Sequence, residues 1–353
     1  MDKQSTIDQQ GRSKIMKSLK VLLAAAAVTV VTAGAATAGT LDDVKARGKL
    51  NCGVTTGLAG FASPNDAGYW EGIDAEMCRA VAVAVFNDKD AVNFTPTTGA
   101  DRFTILQSGE VDMLARNTTW TFSRDVNLGF EFVGVNYYDG QGFMIRKDMG
   151  ISSAHELEGA SVCIQTGTTT ELNLADFFRA NNMSFTSVVV QTGDEGLQAY
   201  DSGRCDVYTT DASGLAAQRS TLSDPSAHVI LPEIISKEPL GPLVRHGDHN
   251  WGDVVRWTLN AMINAEELGV DSSNVGAMMD STNPEVRRLL GAEGNQGEQL
   301  GLSSDWAANV IKAIGNYSES FERNIGKNTP IGLERGLNAL WKDGGILYAP
   351  PMR

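Results

Sequence analysis

Two segments of this chain are punctuated alike, and that limits its fold more than any single motif does. Thr98-Gly99 precedes Ser108-Gly109 and Asp112, while Thr192-Gly193 precedes Ser202-Gly203 and Asp206 at identical intervals. In each copy the intervening residues suit a helix stopped by glycine, and an apolar strand follows. The first strand, Val111 to Ala115, leads to Arg116-Asn117-Thr118-Thr119; the second, Cys205-Asp-Val-Tyr-Thr-Thr210, leads to Asp211. Two similarly built α/β lobes would account for this weak repeat, as would a chance match of a few turn residues. Each copy ends a strand in polar side chains, the place where open α/β sheets hold ligands.

Length agrees with two lobes, because 353 residues with 42% hydrophobic content exceed what one core normally supports. Between the copies, Asn136 to Ile145 is rich in aromatic residues and glycine and is expected to carry the backbone from one lobe to the other. His228 to Ser236 and Leu240 to Arg245 are expected to carry it back, giving two connections. The expected division is 39–138 plus 238–353 for a discontinuous first lobe with a helical C-terminal extension, and 139–237 for the second. Residues 1–38 read as an export signal: Lys14, Lys17 and Lys20 precede the apolar run Val21 to Val31, and Ala36-Thr37-Ala38 suits a signal peptidase. Met16 serves as an alternative start. The apolar run is too short to span a bilayer, so cleavage after Ala38 would release a soluble, exported protein.

The formal net charge is −14, and residues 1–38 carry more basic than acidic side chains, so the remainder is more acidic still. Nucleic acid is excluded as a partner by this balance and by the lack of a basic stripe with interleaved aromatics. Four cysteines, Cys52, Cys78, Cys163 and Cys205, remain in an exported chain. Three disulfide connectivities are open to them, as is a set of buried free thiols. Cys52–Cys78 with Cys163–Cys205 is preferred, since each pair then lies inside one lobe. No Cys-x-x-Cys pair suggests zinc, and His246-x-x-His249 lies in a polar run that reads as an exposed turn.

Along the chain, Leu41 to Gly48 suggests a short helix and Lys49 to Val54 a strand. Gly72 to Phe86 has helical periodicity, with Asp74 and Glu76 at its start, where the helix dipole favours solvated acids. Ser161 to Gln165 reads as a strand that runs into Thr166-Gly-Thr-Thr-Thr170 and a helix from Glu171. Amide and hydroxyl groups at that helix start suit an anionic ligand group, but no lysine follows and the segment fails as a phosphate loop. No cofactor is expected. Trp251 to Leu268, Asp305 to Tyr317 and Gly332 to Leu340 read as helices, with Trp306, Ile311, Leu337 and Trp341 as packing residues.

The stretch from Asp112 to Arg124 carries the clearest chemistry. Asn117 and Thr119 offer short hydrogen-bonding groups at a strand end, and five residues on the planar guanidinium of Arg124 can grip a carboxylate through two parallel hydrogen bonds.

From Gly53 to about Trp257 the chain resembles the type-II periplasmic binding proteins of family 3, the polar amino-acid receptors of ABC uptake systems. Gly72-Ile-Asp-Ala-Glu-Met is similar to the family's helix-start signature, with alanine where a larger apolar residue is usual. Asn117-Thr-Thr-Trp-Thr-Phe-Ser-Arg124, Gln165-Thr-Gly-Thr-Thr-Thr-Glu171 and Asp211 match its ligand segments in order and spacing. Over its whole length the chain looks most like general L-amino-acid-binding proteins.

The resemblance implies two Rossmann-like α/β lobes joined by a two-stranded hinge, with the ligand enclosed between them. It implies a monomeric, non-enzymatic, periplasmic receptor that serves an inner-membrane ABC permease. Arg124 would hold the ligand's α-carboxylate with Asn117, Thr119 and Thr169, beside Thr170 and Gln165, and Asp211 would receive the α-ammonium. Relatives selective for cationic ligands place an aspartate where Thr55 stands and an aromatic where Leu58 stands, so strict Lys/Arg selectivity is not expected. Arg102 matches a position that contacts acidic ligand side chains, and Arg116 lies at the site's edge; the alternative readings are that Arg102 pairs with Asp101 or Glu110 at the surface and Arg116 with a neighbouring acid. The competing function is a secreted lyase or dehydratase on the same fold acting on a cyclic carboxylate. It would need a buried acid or base with its pKa near neutrality, and the sequence assigns none.

Overall fold

The computed structural model describes residues 39–353; the export signal expected over 1–38 lies outside the described residues. Parallel strands need a covering crossover, usually a helix, and the helical runs between the apolar strands provide one each time. The first sheet contains β1 (Leu50–Thr55), β4 (Val92–Thr97), β5 (Met113–Leu114), β6 (Phe130–Phe132) and β14 (Leu243–Arg245), with β2 (Ser63–Pro64) and β3 (Trp70–Glu71) forming a separate hairpin. Its order is β4-β1-β5-β14-β6; β1 pairs in parallel with β4 and β5, and β14 runs antiparallel to β5 and β6. The second sheet contains β8 (Gln141–Arg146), β9 (Ser161–Gln165), β10 (Thr186–Val190), β11 (Val207–Asp211) and β12 (His228–Ile230), in the order β10-β9-β11-β8-β12. Here β9 pairs in parallel with β10 and β11, and β8 is antiparallel to β11 and β12.

The repeated sequence occupies the same place in both sheets, running from an edge strand through a helix to the central strand. The Arg102–Ser108 helix joins β4 to β5 and ends at Gly109 with φ 80°, a left-handed cap that glycine adopts without strain. The Gly193–Asp201 helix joins β10 to β11 and is capped by Thr192, whose side chain accepts from Glu195 N. The aspartates of the two copies also do the same work. Asp112 accepts from Asn51 N at 2.7 Å, and Asp206 accepts from Ser161 N at 3.0 Å, each pinning the start of the neighbouring strand.

Two crossings link the sheets, β7 (Tyr137–Asp139) outward and β13 (Glu238–Leu240) back. They pair antiparallel with each other, Glu238 opposite Asp139. Each sheet carries one disulfide, Cys52–Cys78 in the first and Cys163–Cys205 in the second, with Cα separations of 6.1 and 5.7 Å. The chain from His249 onward packs on the first sheet. Trp251, on the His249–Glu267 helix, is buried and donates its indole N–H to Asp112 O at 2.9 Å.

Some expectations need correction. The helix read over Asp305 to Tyr317 is two, Trp306–Ile314 and Tyr317–Asn324, because Gly315 has φ 101° and Asn316 opens the second with a reciprocal cap to Glu319. Gly332 to Leu340 holds only a single 3-10 turn, Gly336–Asn338. Trp306 and Ile311 are core residues, whereas Leu337 and Trp341 are 56% and 52% exposed. Asp74 is not a solvated helix start: it is buried against Asn117 and Asn136. Glu76 is tied to Ser320 and Arg323 of the C-terminal extension.

Candidate ligand-binding site

Past the end of β5, the chain must turn its polar residues into the gap between the sheets. Asn117 does so with φ 37°, a left-handed conformation that asparagine tolerates better than most residues. Asp74 holds it there, accepting from Asn117 N at 2.7 Å and from Asn136 Nδ2 at 2.8 Å. Burial raises the Asp74 carboxyl to about 6 although both hydrogen bonds lower it. Thr119 follows in an isolated bridge to Leu240 of β13, so the strand end is fastened to the returning crossing. A π-helical turn, Ser123–Asn127, then folds Arg124 back over the segment; its Nη1 donates to Thr119 O at 2.8 Å, and its cation lies 5.2 Å from the centre of the Phe103 ring.

From the second sheet, the loop after β9 and the end of β11 face this segment. The two sides touch where neither has a side chain. A Cβ on Gly99 would lie 2.9 Å from Thr166 O, and one on Gly167, which has φ 73°, would lie 2.9 Å from Ala100. Arg102 reaches across with Nη2 to Gly167 O at 3.3 Å, and Thr119 Oγ1 stands 3.5 Å from Thr169 Oγ1.

Arg102, Arg116, Arg124 and Asp211 are all buried, and among the described residues none is ion-paired. The surface pairs considered for Arg102 and Arg116 are absent from this arrangement. Arg102 has only long contacts to Thr118 Oγ1, at 3.4 Å, and Gly167 O, and its Nε has no partner. Arg116 is 3.4 Å from Thr97 O and from Asn117 Oδ1. Burial destabilises all three guanidinium charges, and their mutual repulsion adds to this for Arg102 and Arg116, the latter lowered to about 10. Asp211 is pushed well above the carboxylate range by burial and then by Asp139 and Glu238, with Arg124 and Arg102 opposing. A buried charge without a partner costs several kcal/mol, so the arrangement calls for a guest that carries both signs.

The remaining expected residues divide. Thr169 and Thr170 stand at the start of the Thr170–Ala180 helix. Thr169 Oγ1 donates to Glu238 Oε2 at 2.9 Å, and Thr170 Oγ1 contacts Thr168 Oγ1. Thr55, Leu58 and Gln165 line a cavity of about 40 Å³ together with Arg116, Asn117, Tyr208 and Gln218.

Three acids of the site are not evident from the sequence. Glu238 on β13 is buried and accepts from Thr119, Thr169, Asn173 and Ser236, so one carboxylate gathers donors from both sides of the gap. Asp139, its cross-strand partner, accepts from Gly140 N at 2.8 Å and from Ser213, and burial raises it to about 6. Neither lies in a recognisable motif. Asp139 lies in the segment expected to cross outward, whereas Glu238 falls between the two stretches expected to carry the chain back, so the sequence gives no signal for it. Asp74 stands in a visible helix start, but its role depends on Asn117 and Asn136, distant in sequence.

With this geometry in place, comparisons with known proteins are specific. Residues 50–270 match the model of bacterial extracellular solute-binding proteins, family 3. The chain is 59% identical to the general L-amino acid-binding periplasmic protein AapJ of Rhizobium johnstonii over 95% of this chain and 99% of that one. It is equally 59% identical to the glutamate/glutamine/aspartate/asparagine-binding protein BztA of Rhodobacter capsulatus, over 93% and 97%. Among solved structures, an ABC transporter periplasmic binding protein from Brucella ovis with glutathione bound superposes with a TM-score of 0.88, at 59% identity, covering 90% of this chain and all of that one. Two α/β sheets bridged by paired crossings, the family-model match and near full-length similarity agree: the chain belongs to the bacterial extracellular solute-binding proteins of family 3.

Proposed function

We propose that this protein is a periplasmic receptor that encloses an L-α-amino acid between its two sheets and hands it to an inner-membrane ABC permease, without altering it. In this reading Arg124 holds the α-carboxylate, helped by Asn117, Thr119 and Thr169, and Asp211 takes the α-ammonium. Arg102 and Arg116 favour a polar or acidic side chain. The two crossings form the hinge, and closure removes the water that would otherwise weaken both charge contacts. The observation that carries the reading is one buried carboxylate, Asp211, facing a set of buried guanidiniums, none of them ion-paired. A zwitterion satisfies that pattern, and the names of the similar proteins are in keeping with it.

A lyase on this fold would need an acid or base free for proton transfer. Asp74, Asp139 and Glu238 are each fixed by hydrogen-bond donors, and Asp211 is used by the ammonium. Thermal-shift screening against all L-amino acids and several keto acids tests the reading, because a ligand that binds only the native state raises its melting temperature. Selected amino acids should raise it while their deaminated analogues do so much less. A shift with none of the amino acids overturns the receptor assignment.

A further inference from the structure

The match to the family ends at residue 270, and residues 271–353 lie beyond it. Part of this extension reaches the outward crossing. Proline at 239 has no N–H, and opposite it on β7 Tyr138 turns both its backbone groups away from β13. An amide and a carbonyl inside a fold need partners. Asn338, in the 3-10 turn Gly336–Asn338 and only 3% exposed, supplies both: its Oδ1 accepts from Tyr138 N at 2.7 Å, and its Nδ2 donates to Tyr138 O at 3.1 Å. One side chain thus stands where a third strand would pair.

Asn338 is itself anchored to the elements that cover the first sheet. Its carbonyl accepts from Arg335 Nε at 3.1 Å and Nη2 at 2.9 Å, and Arg335 is ion-paired at 2.9 Å with Glu266 of the His249–Glu267 helix. The same guanidinium lies 5.1 and 5.0 Å from the centres of the Tyr317 and Phe321 rings. Those rings meet the crossing as well: Tyr317 Oη donates to Asn136 O at 2.8 Å, and Phe321 stacks on Tyr137 with centres 6.3 Å apart. The returning crossing is fastened at the same level, since Trp120 N donates to Pro239 O at 2.8 Å. The second sheet takes hold immediately afterwards, where Asp139 accepts from Ser213 and Ala212 N donates to Gly140 O at 2.8 Å. The two sets of holds meet between Tyr138 and Gly140 on one crossing and next to Pro239 on the other, so a bend between the sheets falls there.

Resting on the receptor reading, in which the two crossings are the hinge, we propose that the extension braces that hinge and that Asn338 is the positioning residue through which it limits how widely the ligand-free gap opens. A narrower range of open arrangements leaves a larger fraction of the ligand-free protein ready to close, and apparent affinity scales with that fraction. Asn338→Leu keeps the side-chain volume and removes both hydrogen bonds to Tyr138. In small-angle scattering the ligand-free variant should have a larger radius of gyration than the ligand-free parent, and the two should coincide with saturating L-glutamate. Calorimetry should show L-glutamate bound about tenfold more weakly, as for a tenfold smaller closing-ready fraction. A folded variant with the parent's ligand-free scattering and affinity, altered only in melting temperature, would reduce Asn338 to packing and overturn the inference. Hydrogen exchange on the unaltered protein needs no variant: the Tyr138 amide should exchange on the order of a hundredfold slower than in an unfolded chain, equally with and without L-glutamate. Fast exchange at Tyr138 in the ligand-free protein also overturns the inference. If the parent binds no amino acid, the receptor reading falls, and ligand-free scattering and exchange still decide whether Asn338 holds the crossing.

Discussion

Replacing Asp211 by asparagine should move ligand-free stability and ligand affinity in opposite directions. The carboxylate is buried, is not ion-paired among the described residues, and feels Asp139 and Glu238 as like charges. Asparagine has nearly the same shape and cannot ionise. The sign follows from linkage: the folded-state pKa is raised, so at acid pH the group is protonated in both folded and unfolded chains and contributes no penalty. As pH rises through the unfolded and then the folded value, the penalty on the folded state grows and levels off, reaching about 1.4 kcal/mol for every tenfold by which folding weakens the acid. The ligand-free variant should therefore match the parent near pH 4 and melt higher at pH 7 to 8, by about 2 °C for each kcal/mol relieved. Binding goes the other way. Opposite charges in contact at an effective dielectric near 20 are worth about 4 kcal/mol, and the remaining field of Asp139 and Glu238 retains part of this. An α-amino acid should lose about 2–3 kcal/mol, on the order of 30- to 150-fold in Kd, whereas its deaminated analogue should change little. Melting curves across pH and calorimetry at pH 7.5 read both quantities. A ligand-free variant that melts lower at pH 8, or equal losses for both ligands, would refute the account of Asp211 as an unpaired acid awaiting an ammonium.

Other perturbations separate the parts of the site. Arg124→Met should weaken α-amino acids by about 3 kcal/mol, because a buried carboxylate loses its charged partner; unchanged calorimetric affinity would remove Arg124 from the carboxylate site. Asp74→Asn replaces an acceptor of two hydrogen bonds with a group that carries its own N–H donors, and releases Asn117 from its left-handed conformation. A fall in melting temperature together with at least tenfold weaker binding is expected, and an intact affinity in the folded variant would show that Asn117 is held by other means. Reduction of Cys163–Cys205, which spans 42 residues, should destabilise the chain by about 4 kcal/mol, and of Cys52–Cys78, which spans 26, by about 3.5 kcal/mol. Denaturant titration of the matching Cys→Ser pairs measures both, and a destabilisation below 1 kcal/mol in either would contradict the loop-entropy argument.

Much of the architecture is legible in the sequence because it is local. Glycine stops, strand periodicity and the doubled Thr-Gly, Ser-Gly, Asp interval are properties of short segments, and the two copies fold into the same edge strand, helix and central strand. Arg116, Asn117, Thr119, Arg124 and Asp211 stand out for a related reason, since a strand end that changes from apolar to polar is visible in one stretch. What stays hidden depends on pairing across the chain. Asp74 looks like an ordinary acid in a helix's first turn, and only the fold brings Asn117 N and Asn136 against it. The exposure of Leu337 and Trp341 is hidden because periodicity does not say which face meets a neighbour when the segment forms no regular helix.

In the proposed receptor, Glu238 would tie the two crossing strands to the ligand as well as to the closing motion. Its position opposite Asp139 puts two like charges side by side in an antiparallel pair, which is unfavourable unless donors surround them. The donors to Glu238 come from Thr119 on one side of the gap and from Thr169 and Asn173 on the other. Opening the gap would separate those donors and expose the acid to water, so closure and the satisfaction of Glu238 are linked. Glu238→Gln should then leave each sheet folded but weaken closure, since an amide oxygen accepts less strongly than a carboxylate and its nitrogen must face a hydroxyl that now has to reverse its role. Small-angle scattering with saturating ligand reads this directly: the variant should keep a larger radius of gyration than the parent and release ligand faster. Identical scattering and dissociation rates would mean that the ligand's own charges hold the gap shut, with Glu238 serving only the local packing of β13.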